Sequence, residues 1–383
     1  MLTKKEDLSI QTRLLHHSHK HDRHTGAVSV PIQHASTFHQ TNLDEFGKYD
    51  YARSGNPTRE ALEEIIAGLE NGSEGFAFAS GMAAISTTFM LLSAGDHLLI
   101  TEDVYGGSYR MTTEVLTRLG VEHTFVDMTD ISSVEDAIRP NTKMIYMETP
   151  SNPTMKITPV KEIAEISKAH GCISVVDNTF LTPVLQRPLD LGADIVVHSA
   201  TKFIGGHSDV VAGLAVVNDH SLANQLRFLQ NSFGAILGPQ DCWLIMRGMK
   251  TMHTRMEASS TSALKLAKWL RKHPDVKRVY YPGLDDHPGY EKQRLQADGP
   301  GAVLSFELKD RSHVKKVVES VQIPVFAVSL GAVESILSYP AQMSHAAMPA
   351  AERNKRGITD GLLRLSVGLE KTDDLIQDLE QAL

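Results

Sequence analysis

The 383-residue sequence predicts an α/β fold, with a mostly parallel seven-stranded sheet in a large domain and a smaller α+β domain after it. Three observations carry that expectation. Seven short apolar runs are separated by helix-like stretches over about 160 residues. The runs are continuously apolar rather than alternating, as strands covered on both faces require. The alternation of runs and helices then stops after the region Pro239 to Lys250.

In chain order, residues 1–56 lack sustained periodicity, are rich in His, Thr, Ser and Gln, and end in the turn signal Gly55-Asn56-Pro57. They read as an extended arm. An arm that cannot build its own core must lie on the rest of the chain or on a partner subunit. From Thr58, residues Leu62, Ile65, Ile66 and Leu69 fall at i, i+3, i+4 and i+7 and the segment stops at Asn71-Gly72, which predicts an amphipathic helix. The strand runs follow at Phe76–Ser80, His97–Thr101, His123–Asp127, Met144–Glu148, Cys172–Asp177, Asp194–Ser199 and Val211–Val217, all within a domain spanning 57–245. Residues 246–383 mix a helix-period segment (Val314, Val317, Val318, Val321) with the strand Val303–Leu308 and an exposed turn from Asp285 to Gly289, and form the α+β domain.

Composition narrows the partners. With 42% apolar residues, a mean hydropathy of −0.18 and no long apolar run, a membrane span is excluded and a soluble protein is expected. The balance of 38 basic against 46 acidic residues argues against nucleic acid or anionic lipid as the main partner. Two cysteines, Cys172 and Cys242, make no disulfide framework, and the start has no apolar signal region, so a cytoplasmic setting is expected. His16, His17, His19, His21 and His24 fall close together, but no cysteine or carboxylate accompanies them at ligand spacing; a solvated arm is the favoured reading and no metal is expected.

In open α/β sheets ligands sit beyond the carboxyl ends of the strands. The first run ends in Ser80-Gly81-Met82 before a helical stretch, a turn able to hold a phosphate, although glycine at such a turn commonly serves backbone geometry alone. Another run ends in Asp177, a residue type equally at home as a helix cap or in a turn. The next ends in His198-Ser199-Ala200-Thr201-Lys202. A lysine directly after a buried strand, partly desolvated, is a candidate for a lowered pKa and amine nucleophilicity, against the default of a surface charge. The sequence has no G-x-G-x-x-G after a strand, no P-loop, no G-x-S-x-G and no H-E-x-x-H. What remains is a lysine, an acid and a phosphate turn, which is what a pyridoxal phosphate enzyme needs.

The segments Tyr51 to Thr58 (YARSGNPT), Ser80 to Met82, Asp103 to Gly107 (DVYGG), Glu148 to Pro153 (ETPSNP), Val176 to Thr179 and His198 to Lys202 resemble the Cys/Met-metabolism family of pyridoxal phosphate enzymes. That family includes cystathionine β- and γ-lyases, cystathionine γ-synthase and methionine γ-lyase. The resemblance covers nearly the whole chain. It implies an aspartate-aminotransferase-like fold (PLP fold type I), pyridoxal 5'-phosphate as cofactor, a small sulfur amino acid as substrate and a homo-oligomer, expected as a homotetramer.

The resemblance also implies roles. Lys202 would hold the cofactor covalently and, once released, act as base at the substrate Cα. Asp177 would keep the pyridine nitrogen protonated, and Tyr105 would stack on the ring. Gly81, Met82, Ser199 and Thr201 would hold the phosphate, with Tyr51 and Arg53 reaching that of a neighbouring subunit. Arg364 would clamp the α-carboxylate with help from Asn152 and Ser329; read from the residues alone, an Arg between apolar strand positions is more often an exposed-face charge or a structural ion pair. Many γ-acting members that bind cystathionine carry Glu where this chain has Val328, and methionine γ-lyases typically carry Cys where it has Gly107. The expectation is therefore β-elimination of cystathionine to homocysteine, pyruvate and ammonia, with a cystathionine γ-lyase or broad cysteine desulfhydrase as the alternative and a catalytically silent binding protein as a distant one.

Overall fold

The computed structural model describes residues 8–16, 25–346 and 348–383. The expected arm is not extended throughout, because Ile10–His16 forms a short helix (α1) whose Leu14 is buried in the main core. Seven residues are too few to show periodicity in sequence. Residues 25–56 do run without a helix or strand, and they are pinned down by polar contacts. Thr58 Oγ1 accepts the amide of Gln33 (2.9 Å) and donates to the carbonyl of Pro31 (2.9 Å), and Asn56 Nδ2 donates to the carbonyl of Gln33 (2.8 Å). His17, His19, His21 and His24 lie outside the described residues. Among those described, no group of three His, Cys, Asp or Glu is placed to hold a metal ion, and no helix is long and apolar enough to cross a membrane.

Asn56 opens the helix Pro57–Leu69 (α2). Its side chain accepts the amides of Thr58 and Arg59 at 2.9 and 3.2 Å, a cap that contributes about 1 kcal/mol, and Pro57 sits in the first turn, where a missing N–H is harmless. Leu62, Ile65, Ile66 and Leu69 all face the core, and each stabilises the packing by roughly 1.5–3 kcal/mol.

All seven apolar runs become strands, with ends displaced by no more than two residues: β1 (Glu74–Phe78), β2 (His97–Thr101), β3 (Glu122–Val126), β4 (Thr142–Glu148), β5 (Ile173–Asp177), β6 (Ile195–Ser199) and β7 (Gly213–Val217). They form one sheet in the order β1-β7-β6-β5-β4-β2-β3; β7 is antiparallel to both its neighbours and every other pairing is parallel. Each strand serves two cores. Leu214 and Val216 of β7 join Ala77 and Val196 against α2, while Ala215 and Val217 join Phe76, Phe78 and Val197 against the helix Gly81–Phe89 (α3).

The second sheet comprises β8 (Val276–Tyr280), β9 (Val303–Leu308), β10 (Val325–Phe326), β11 (Ile336–Ser338) and β12 (Leu362–Ser366), in the order β10-β11-β12-β9-β8. Leu304, Phe306, Leu363 and Leu365 on its inner face bury against the helices Met252–Leu270 and Thr372–Ala382. Its middle strand, β12, carries Arg364 toward the carboxyl ends of the first sheet.

Candidate active site

A cavity of about 500 Å³ opens where the two sheets meet. Gly81, Met82, Tyr105, Asn152, Asp177, Ser199, Thr201, Lys202, Val328, Ser329 and Arg364 all line it. Tyr51 and Arg53 do not. They lie on the surface, with the Arg53 guanidinium 5.5 Å from the Tyr51 ring centroid and its Nε donating to Asn231 Oδ1 (3.2 Å).

The phosphate end begins with Ser80, whose hydroxyl caps α3 by accepting the amide of Ala83 (3.0 Å). The amides of Gly81 and Met82 occupy the first turn and have no carbonyl acceptor within the helix, so the helix end favours an anion. A Cβ on Gly81 would fall 2.8 Å from Ser199 Cβ, so glycine is required for α3 to approach β6 this closely. Thr201 Oγ1 is already engaged with Ala212, donating to its carbonyl (3.2 Å) and accepting its amide (3.0 Å). A helix N-terminus, a glycine approach and the Ser199 hydroxyl fit a cofactor phosphate.

Deeper in, Lys202 Nζ donates to Ser329 Oγ (2.6 Å). Burial pushes its amine down to about 8, helped by the positive charge of Arg364. Asp177 closes β5 and is both things its sequence position allowed. It makes a turn, Oδ1 accepting from Thr179 N (3.0 Å) and Oγ1 (2.5 Å), and it faces the cavity, with Oδ2 accepting from Tyr146 Oη (3.2 Å). Burial raises its carboxyl, against the opposing effect of those bonds and of His198. The Tyr105 ring and the Met82 sulfur both crowd Gly107. A Cβ on Gly107 would fall 2.5 Å from that ring and 2.6 Å from the Met82 sulfur, so a cysteine at 107 would displace both.

Arg364 is buried on β12. Its Nη1 donates to Asn152 Oδ1 (2.8 Å), and its Nη2 donates to the Ser329 carbonyl (2.6 Å) and Ser338 Oγ (3.1 Å), while Nε has no partner among the described residues. Desolvation lowers its pKa to about 10, which leaves it cationic near neutrality. Ser329, which touches both Lys202 and Arg364, has φ of 91°, a left-handed conformation uncommon outside glycine and costing of order 1–3 kcal/mol. Such strain concentrates at functional sites.

Sequence reasoning passed over several lining residues. Glu148 ends β4 as Asp177 ends β5, so the strand-end rule could have found it; its Oε2 accepts the amide of Tyr105 (2.9 Å) and its Oε1 that of Asn152 (3.1 Å). Arg110 lines the cavity with no ion-pair partner among the described residues, and Met343 and Ser344 arrive from a loop after β11 that carries no periodic signal.

Comparison with known proteins follows the geometry. The family described as Cys/Met metabolism PLP-dependent enzyme matches residues 11–383. The cystathionine beta-lyase MetC of Bacillus subtilis (strain 168) is 66% identical over 379 residues, covering 99% of this chain and 97% of that protein. The cystathionine gamma-lyase of the same organism is 51% identical over 373 residues, covering 97% and 98%. Among solved structures, a cystathionine gamma-lyase from Lactobacillus plantarum complexed with L-serine superposes with a TM-score of 0.96 at 49% identity, covering 98% of each chain. The two-sheet architecture is the type I fold of pyridoxal phosphate enzymes. The chain belongs to the Cys/Met-metabolism family of PLP-dependent enzymes, binds pyridoxal phosphate and is a carbon–sulfur lyase.

Proposed function

We propose that the protein is a cystathionine β-lyase, cleaving cystathionine to homocysteine, pyruvate and ammonia in methionine synthesis. One observation carries the choice of β over γ chemistry. The wall beside Ser329 is Val328, an exposed apolar side chain, at the position where γ-acting relatives that bind cystathionine commonly present a carboxylate. The named B. subtilis β-lyase, at 66% identity, supports the same reading.

Bound pyridoxal phosphate supplies an electron sink for charge developing at the substrate Cα. The rest falls to the chain. With the cofactor bound, Asp177 would stabilise the protonated form of its ring nitrogen, Tyr105 would stack on the ring, and the turn at Gly81, Met82 and Ser199 would hold its phosphate. Arg364, its fork steadied by Asn152, receives the α-carboxylate. Lys202, with an amine held near 8 against its ordinary 10.5, has a far larger neutral fraction near physiological pH than a surface lysine and takes the Cα proton in that form. The Cβ–S bond then breaks, sulfur leaves as the thiolate and gains a proton, and water converts the three-carbon remainder to pyruvate and ammonia. Cystathionine carries a second carboxylate beyond its sulfur, and Arg110 at the cavity wall suits it. Tyr51 and Arg53 serve the phosphate of a neighbouring subunit within a homotetramer, which accounts for their place on the surface. Two buried free cysteines suit a reducing cytoplasm.

The test is the keto acid formed from cystathionine. Pyruvate with homocysteine supports the reading; 2-oxobutyrate with cysteine would replace it with γ-lyase activity, the reading favoured by the 51% identity to the B. subtilis γ-lyase.

A further inference from the structure

Behind the cofactor side of the first sheet lies a buried polar cluster to which the reaction assigns nothing. Side chains alternate across a strand, so β5, β6 and their ends present two faces. Asp177, Thr179 and Ser199 face the cavity and are joined to one another: Thr179 Oγ1 donates to Asp177 Oδ1 (2.5 Å) and accepts the amide of Ser199 (2.8 Å). Asn178 and His198, the residues beside them in the chain, are fully buried and turn to the other side. There a single atom, Glu70 Oε1, accepts both His198 Nε2 (2.7 Å) and Asn178 Nδ2 (3.1 Å). Asn178 is fixed further by Gln186, donating to its carbonyl (2.8 Å) and accepting from its Nε2 (3.2 Å).

Glu70 follows directly on the last turn of α2 and has no exposed surface. A buried carboxylate paired with histidine is poor evidence for stability, since well-packed apolar side chains commonly do as well. Its position suggests a different use. The clasp from behind joins the strand end bearing Asp177 to the strand end bearing Ser199, and His198 is among the charges that favour the ionised form of Asp177.

We propose that Glu70 is a positioning residue for the cofactor. From the far face of the sheet it holds Asn178 and His198, and so sets Asp177 against the ring and Ser199 against the phosphate. The proposal rests on assigning Asp177 and Ser199 to the cofactor, as above.

The test titrates apo-protein variants with pyridoxal phosphate, reading the dissociation constant and the position of the visible absorption band. Glu70→Ala should weaken binding about tenfold or more, as loss of supporting contacts commonly does, and displace the band. Glu70→Gln keeps one carbonyl oxygen for both donors and should stay within about threefold of the native protein. Leu69→Ala removes packing at the same helix end, so it should lower the thermal midpoint while leaving binding within about threefold. Native affinity and band in Glu70→Ala would overturn the proposal. So would equal weakening in Leu69→Ala, which indicates helix packing, or in Glu70→Gln, which indicates something other than the shared acceptor. Should Glu70→Ala fail to fold, Asn178→Ala takes its place with the same expectation, and unchanged affinity there refutes the idea. Asp177→Ala separates the underlying assignment: if it leaves band and affinity intact, the assignment of Asp177 itself falls and the inference with it.

Discussion

Lys202 in the apo-protein is a buried amine held at about 8 against its ordinary 10.5. At 1.36 kcal/mol per pK unit, that displacement corresponds to about 3 kcal/mol of strain on the ammonium form. Lys202→Met keeps the stem and removes the charge, along with the hydrogen bond to Ser329, which contributes about 1 kcal/mol. Near pH 7 the variant apo-protein should therefore be more stable by about 2 kcal/mol. The sign follows from proton binding. Below pH 8 the lysine is charged both folded and unfolded, and the full burden is present. Between about 8 and 10.5 the folded chain releases its proton while the unfolded chain keeps it, so native stability rises and the variant's advantage disappears. Above 10.5 only the lost hydrogen bond remains, and the variant should be slightly weaker. Urea unfolding of both apo-proteins at equal concentration, near pH 7 and near pH 10, measures the difference and cancels contributions from other groups. A variant less stable near pH 7, or a difference that does not change with pH, would refute the assignment of a desolvated ammonium.

Arg364→Lys keeps the charge but loses the fork that meets Asn152, Ser329 and Ser338; kcat/KM for cystathionine should fall about 100-fold or more, mainly through KM, and steady-state kinetics decides it. Gly81→Ala forces a methyl group against Ser199 Cβ, so pyridoxal phosphate should bind at least about tenfold more weakly in an apo-protein titration, and native affinity would show that α3 gives way. Val328→Glu should raise the share of 2-oxobutyrate among the keto acids, measured by chromatography; an unchanged ratio removes this position as the discriminator. Arg53→Ala and Lys202→Ala proteins should each be nearly inactive, and refolding them together should restore activity if the arm serves a neighbour, whereas a mixture as inactive as its components would place Arg53 elsewhere.

Lys202 and Asp177 could be found from the sequence because the rule that finds them is local: each follows an apolar run, and the carboxyl end of such a run is where a parallel sheet presents side chains. Leu62 to Leu69 were equally plain, since helical spacing and a capping residue lie within a few turns. Arg364 is different. Its meeting with Asn152 depends on how two sheets pack, and nothing in the neighbours of either residue encodes that; only the likeness to a known family brought it forward. Arg110 and Met343 have neither periodicity nor a family motif to mark them. The reversed direction of β7 is likewise silent, because an apolar run reads the same whichever way its backbone points. The short helix at Ile10–His16 was missed because one buried leucine makes no pattern.

The antiparallel β7 has a consequence for the birth of the protein. β1 lies at the edge of the sheet, and among the described residues β7 is its only strand partner. Gly213–Val217 is made about 140 residues after Glu74–Phe78, on the order of ten seconds later at about 5–20 residues per second. Throughout that interval Phe76 and Phe78 belong to a nascent strand with no edge to join, while β2, β4 and β5 emerge with their mutual partners close behind. An exposed apolar strand of this kind invites capture by chaperones or by other nascent chains. Truncations released between residues 80 and 210 should therefore be more prone to aggregate than those released after 220.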